Sequence, residues 1–267
     1  MAAQLHPFEQ DGIILLRFPK LSTLPFLVHA VTTRFDASGN EFNLALHVSD
    51  DNDAVVRRRG RLCEALGFRA DRLTCCEQAH GSRVAIIDEE SAGRGAFSRN
   101  DALTGYDAMI TDVPGALLAM FAADCPLTLL ADAGRRAIGI CHGGWRGLAE
   151  GVIGKTIGAM KERFGCAAAA MLAGTAPAIE RACYEAGEEV AERFAREHGE
   201  CLTQLKNGKY LLDLRGVVRG QLVAAGVKAG NIEQLELCTK CRADLFFSHR
   251  RDAGRAGRFA LVAGIRV

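Results

Sequence analysis

Hydrophobic positions along the chain change period several times, and each change predicts an element. "GIILLRF" (12–18) and "LVHAVTTR" (27–34) are short apolar, β-branched runs that end at Pro or a polar turn, the mark of strands, and "DASGN" (36–40) between elements reads as a loop. "SDDNDAVVRRRGRLCEALG" (49–67) opens with acids suited to capping, repeats its apolar residues at helical spacing and stops at Gly67. "LTCCEQAHGSRVAIID" (73–88) reads as two strands broken at His80-Gly81. "DAMITDVPGALLAMFAADCPLTLLAD" (107–132) predicts short buried strands around a Pro-Gly turn at 114–115, and "RAIGICH" (136–142) another buried strand. Helical spacing returns over 148–165, 188–199 and 216–227, and the tail closes in a strand that reads as central in a sheet. Strands and helices alternate too irregularly for a doubly wound parallel sheet. The pattern predicts an α+β fold with mixed sheets, and with no repeat or linker rich in Pro or Ser it predicts a single domain over 1–267.

Composition narrows the function classes. The 33 basic and 32 acidic residues nearly cancel, leaving a formal charge of +1, so the excess of cations expected of a nucleic-acid binder is missing. No apolar run is long enough to span a bilayer and "MAAQLHPFEQ" lacks the features of an export signal, which points to a cytoplasmic protein. In that setting most of the ten cysteines are expected to be free thiols, with Cys63, Cys166, Cys183 and Cys201 serving as small apolar residues. The adjacent Cys75 and Cys76 should face opposite sides of a strand.

Chemistry concentrates where strands end at Gly or Pro. "CHGGWRG" (141–147) delivers His142 from a strand into a glycine turn, and Arg146 beside the start of the next helix suggests an anion pocket, the alternative being a tight β–α turn with Trp145 packed inward. Cys125 precedes Pro126, and His80 sits at the Gly break in "EQAHGSRV". Two imidazoles and one thiolate suit Zn²⁺ and would leave a fourth tetrahedral position open, as in a catalytic site; on spacing alone each residue, taken separately, reads sooner as an ordinary buried side chain. "CTKC" (238–241) lacks a second pair at zinc-ribbon spacing and reads as incidental. "RRRGR" (57–61) reads as a solvated helix face or a source of Arg for phosphate, and "SHRRD" (248–252), after the aromatic pair Phe246-Phe247, could also bring Arg to a phosphate, while Asn43 in "EFNLALHV" needs a partner if buried.

Taken in order, "EQAHGSRV", "DAMITDVPG", "AADCP", "CHGGWRG", "CYEAGEEV" and "FFSHRRD…GRFA" resemble the bacterial laccase-domain proteins, also grouped as multifunctional purine nucleoside phosphorylases. The resemblance runs from about Thr33 to the C-terminus. It implies a four-layer α/β/β/α sandwich shared with deamidating cysteine-hydrolase toxins, and a site in which His80, Cys125 and His142 hold one metal ion, zinc or alternatively copper. It places Asn43 and Arg59 near substrate, with Arg59 and Arg146 as candidates for phosphate. The implied activities are phosphorolysis of adenosine, inosine and methylthioadenosine and deamination of adenosine, with Asp124 or Glu77 as candidate acid/base groups. Alternatives are an amidase using Cys125 as nucleophile, acting on peptidoglycan precursors, a copper phenol oxidase, and a non-catalytic binding protein. Three positions depart from the family pattern: Gly143 replaces Ala, Arg58 replaces Asn, and Ala176-Pro177 replaces Gly-Pro.

Overall fold

The computed structural model describes residues 7–49 and 51–267. Its strands are, in chain order, β1 (Phe8–Gln10), β2 (Ile13–Leu16), β3 (Leu27–Thr32), β4 (Leu73–Glu77), β5 (Val84–Ile86), β6 (Leu103–Thr104), β7 (Ala108–Thr111), β8 (Leu117–Ala122), β9 (Leu127–Asp132), β10 (Ala137–His142), β11 (Leu172–Thr175), β12 (Glu185–Ala186), β13 (Leu202–Gln204), β14 (Tyr210–Leu212), β15 (Ile232–Gln234) and β16 (Phe259–Ile265). The helices are α1 (Asn52–Leu66), α2 (Trp145–Ala149), α3 (Val152–Phe164), α4 (Glu188–His198) and α5 (Leu214–Ala224).

Two large sheets, in the orders β1-β2-β3-β16-β8-β4-β6 and β15-β11-β9-β10-β7-β5, lie face to face, and β12-β14-β13 form a small third sheet. Alternation along single strands builds the layers. From β8, Leu118, Met120 and Ala122 enter the core between the sheets, where they meet Leu127 and Leu129 of β9 and Ile138 and Ile140 of β10. Their neighbours Leu117, Ala119 and Phe121 face the other way, onto Leu62, Cys63, Ala65 and Leu66 of α1. On the far side, Ala137 and Cys141 of β10 pack against Ile153, Ile157 and Met160 of α3 and Val217 and Leu222 of α5. The result is the four-layer α/β/β/α order. Both parallel pairs (β4 with β8, β5 with β7) and antiparallel pairs occur, as expected of mixed sheets, and the C-terminal β16 is central, between β3 and β8.

Local signals set most boundaries. Asp51 caps α1 by accepting the Ala54 N–H at 2.8 Å, and Gly67 ends it at φ 77°. Cys75 and Cys76 do face opposite sides, towards α1 and towards the inter-sheet core. Two expectations are corrected. The helix expected over 148–165 is interrupted at Gly151, whose φ of 76° breaks the helical hydrogen-bond run into α2 and α3. The helix expected over 216–227 begins at Leu214, because the Asp213 side chain caps it by accepting the Gly216 N–H at 2.9 Å. No helix among the described residues is long and apolar enough to cross a membrane.

Candidate active site

Three chain segments meet where the two large sheets are stitched together. The chain leaves β8 in the first sheet at Ala122 and enters β9 in the second at Leu127, so Cys125 lies on the crossing. Asp124 turns that corner with φ 98°, a strained value for a residue with a Cβ. Its buried carboxylate holds the corner in place, accepting from Thr239 Oγ1 at 2.6 Å and from the Arg250 N–H at 2.7 Å. His142 ends β10 directly across from Leu127, and the Gly143 N–H donates to the Pro126 carbonyl at 2.8 Å. His142 is thereby set beside Cys125.

His80 arrives on the loop between β4 and β5, at φ 59°. Gln78 anchors the near end of that loop, its amide both donating to and accepting from the backbone of Phe121 on β8 at 2.9 Å. Asp107, fully buried just before β7, organises the rest. Its carboxylate accepts the backbone N–H groups of Ala79, His80 and Gly81 at 3.1, 3.0 and 2.7 Å, and also the Nδ1–H of His142 at 2.9 Å. One side chain therefore places the His80 loop and fixes the tautomer of His142, leaving Nε2 as the free nitrogen. Asp107 is a functional residue that the sequence motifs do not single out; the available signal is an acid standing immediately ahead of the apolar run "AMI" (108–110).

The outcome is a compact donor set. One ligand atom from each of His80, Cys125 and His142 lies within 4.8 Å of the others, and the two imidazole rings meet edge to face, with centroids 4.9 Å apart. Burial pushes the Cys125 thiol up, but His142 and His80 outweigh it and bring the pKa down to about 6. Burial lowers His142 in turn, and the Cys125 thiolate with Asp107 reverses this, lifting it to about 9. Asp107 is held below the usual carboxylate range because its contacts to His142 and the loop N–H groups overcome the effect of burial. Thiolate plus imidazole is a donor set for zinc or copper, and the carboxylate behind His142 is the support such ligands generally have. The glycines of "CHGGWRG" follow from this geometry. A Cβ on Gly144 would sit 3.0 Å from His80 Cδ2, 3.4 Å from His142 Cε1 and 3.7 Å from Cys125 Sγ, inside the cradle itself, and one on Gly147 would strike the Gly81 carbonyl oxygen at 2.4 Å.

All three donors line a cavity of about 550 Å³, whose walls include Glu77, Arg59, Arg99, Arg146, Tyr184 and Arg258. Arg59 is not part of a solvated face. It is buried, and it donates to the carbonyls of Leu44, Gly95 and Ala96 at 2.8 Å each, while its neighbours Arg57 and Arg61 stay exposed. Arg146 is exposed and stacks 4.3 Å over Trp145. The helix beside Arg146 is the short α2, only 5 residues long, opened by the Leu148 N–H donating to the Gly144 carbonyl at 2.9 Å. Asn43 is buried, bonded to the backbone of Ala45 and accepting the N–H of Arg258 at 2.9 Å. It positions Arg258, which does line the cavity. Asp124 is unsuited to acid/base work, since both carboxylate oxygens are occupied. Glu77 pairs with Arg99 at the cavity wall and is partly exposed.

The family model described as multi-copper polyphenol oxidoreductase laccase matches residues 28–266. The chain belongs to that laccase family. Among its relatives is the purine nucleoside phosphorylase YlmD of Geobacillus stearothermophilus, 37% identical over 84% of this chain and 83% of that protein. The adenosine deaminase RL5 of an unknown prokaryotic organism is 34% identical over 85% of this chain and 89% of its own length. The crystal structure of the Geobacillus YlmD superposes with a TM-score of 0.90 over 98% of this chain and 99% of that one. Membership of the laccase family does not bring a histidine-rich copper cluster with it here. Among the described residues, His80 and His142 are the only imidazoles that enter a metal-capable group.

Proposed function

We propose that this chain is a single-domain enzyme of purine nucleosides, phosphorolysing adenosine, inosine and methylthioadenosine and deaminating adenosine at the His80–Cys125–His142 site. The observation that carries the reading is the convergence of those three donors, backed by Asp107, on the wall of a cavity of about 550 Å³, large enough for a nucleoside and rich in arginine. The names of the laccase-family relatives support the substrate class.

Zinc held by His80, Cys125 and His142 would supply a Lewis acid able to polarise a substrate atom or bring a water's pKa towards neutrality. The protein's own contribution is positional. Asp107 keeps a proton on His142 Nδ1, so that the proton given up on metal binding is the one on Nε2, and the low pKa of Cys125 gives a thiolate near neutral pH. Arg59 and Arg146 on the cavity wall are assigned to phosphate, which needs paired N–H donors. Arg59 Nε and Nη1 are bound to carbonyls, so Nη2 is the group assigned to the ligand. With Asp124 committed to Thr239 and Arg250, Glu77 is assigned the proton transfer at the purine.

A second reading draws on the same geometry. Cys125, His142 and Asp107 stand in the order of a thiol nucleophile, its base and an orienting carboxylate, the constellation of a cysteine amidase. Chelation separates the two. Purified protein should carry about one zinc at this site, and should convert adenosine with phosphate to adenine and ribose 1-phosphate. Stripping the metal should abolish that conversion and re-adding zinc restore it. Untouched adenosine together with chelator-resistant cleavage of an amide would replace the nucleoside reading with the amidase one.

A further inference from the structure

The motif "CTKC" does not stand alone in space. The turn Arg181–Cys183, which precedes β12, brings Cys183 to it, and one sulfur each from Cys183, Cys238 and Cys241 lies within 4.8 Å of the others. Cys183 and Cys241 are in sulfur–sulfur contact at 3.5 Å. None of the three lines the cavity of the first site, and none is used in the chemistry assigned there. The expectation that Cys183 is a small apolar residue and "CTKC" incidental is therefore replaced by a three-thiol group assembled from segments over fifty residues apart in sequence.

We propose that Cys183, Cys238 and Cys241 form a second metal site, for a thiophilic d¹⁰ ion of the zinc class, which fastens the cavity rim. The architecture is that of a ligand site. Arg242 N–H donates to the Cys238 carbonyl at 3.0 Å, closing the tight turn that turns both sulfurs of "CTKC" to one side. Cys238 is buried, Cys183 half-buried and Cys241 exposed, so the group is anchored in the protein and open to solvent on one side. Three sulfurs and no nitrogen select soft ions, and a water can complete four-coordination at the exposed side. On binding, each sulfur gives up its proton to solvent and no oxidant is required.

The placement explains what such an ion would do. Thr239, inside "CTKC", donates to Asp124, the neighbour of Cys125, and Arg251 Nη1 donates to the Thr239 carbonyl at 3.0 Å. Cys183 precedes Tyr184, whose ring lines the cavity and stacks under Arg250 at 4.9 Å. One ion at the three sulfurs would pin together the 181–184 and 238–242 segments, both of which reach the catalytic wall.

The test uses cobalt(II) alone, under reducing and anaerobic conditions, on the full chain carrying His80→Ala and Cys125→Ser so that the first site cannot contribute. We expect about one equivalent of cobalt to bind with a thiolate-to-metal charge-transfer band, and adding Cys241→Ser or Cys183→Ser should abolish the band while circular dichroism stays unchanged. In the otherwise unaltered chain, Cys241→Ser should lower bound zinc by about one ion and leave the first site loaded. The proposal is overturned if the first-site variant gives no band, if the band survives both serine changes, or if peptide mapping of protein purified anaerobically without added reductant finds Cys183 and Cys241 joined as a disulfide. None of these outcomes depends on which nucleoside, if any, is turned over.

Discussion

Asp107→Asn is the most informative single change, because one carboxylate supports two of the three donors at the first site. Oδ2 accepts the N–H groups of Ala79 and Gly81, and Oδ1 accepts the N–H of His80 and the Nδ1–H of His142. An amide has one oxygen and one NH₂. Turned one way, its NH₂ faces the N–H groups of Ala79 and Gly81; turned the other, it faces the His80 N–H and forces His142 to move its proton to Nε2. Each lost partner costs about 1–3 kcal/mol at most at these part-buried N–H groups, so the metal-free protein should lose about 1–6 kcal/mol, concentrated in the His80 loop or at the His142 ring. Removal of the support behind a metal ligand generally weakens binding by about 10–100-fold. The assay is competition for zinc against a chromophoric chelator, with denaturant unfolding of the chelated protein alongside it. The pH dependence gives a second check. His142 is raised above its unfolded value, so the stability it adds in metal-free protein is fully present below about pH 6.5 and is lost as pH rises through about 9. In Asp107→Asn that window should contract from its upper end. If the variant binds zinc within about twofold of the parent and keeps the same upper limit, Asp107 does not orient the site and the reasoning fails.

Other expectations follow from single contacts. His29 is buried and accepts the Phe18 N–H on Nε2 at 3.0 Å; burial and then Arg17 hold its pKa at about 4. Its contribution is complete above about pH 6.5 and lost as pH falls through about 4, up to about 3 kcal/mol, so urea titrations should show a shallower acid loss for His29→Gln than for the parent; parallel profiles would refute this. Gly144→Ala should fold normally yet bind zinc weakly, since its Cβ enters the cradle, whereas Gly143→Ala needs Leu148 and Pro126 to yield only slightly from 3.2–3.3 Å and should change stability by less than about 1.5 kcal/mol. Full zinc occupancy in Gly144→Ala would contradict the first half of that pair. Arg59→Met leaves the carbonyls of Leu44, Gly95 and Ala96 without a donor and should destabilise by about 3–5 kcal/mol in thermal or denaturant melts, with a surface-like loss below about 0.5 kcal/mol counting against its role as an anchor.

What the chain determines by itself is whatever depends on neighbours in sequence. The limits of α1 follow from Asp51 and Gly67, and the alternation in β8 assigns Leu118 and Phe121 to opposite layers. His80, Cys125 and His142 could be nominated because each stands at a Gly or Pro break, and ordered motifs across most of the chain made them a set. Tertiary structure decided the rest. Arg59 belongs to a run of basic residues that reads as solvated, and only the carbonyls of 44, 95 and 96 closing over it make it interior. Asn43 is a polar residue in an apolar stretch whose partners, the backbone of Ala45 and the Arg258 N–H, are set by the fold. Asp107 gains its role from a loop 26–28 residues upstream and from a histidine 35 residues downstream. Cys183 meets "CTKC" only after the chain has passed through the small sheet and α5. The physical reason is common to all four. Periodicity reports which side chains face inward, whereas the partner of a buried polar group is set by sheet order, strand register and the points where the chain crosses between layers, and those are properties of the packed whole.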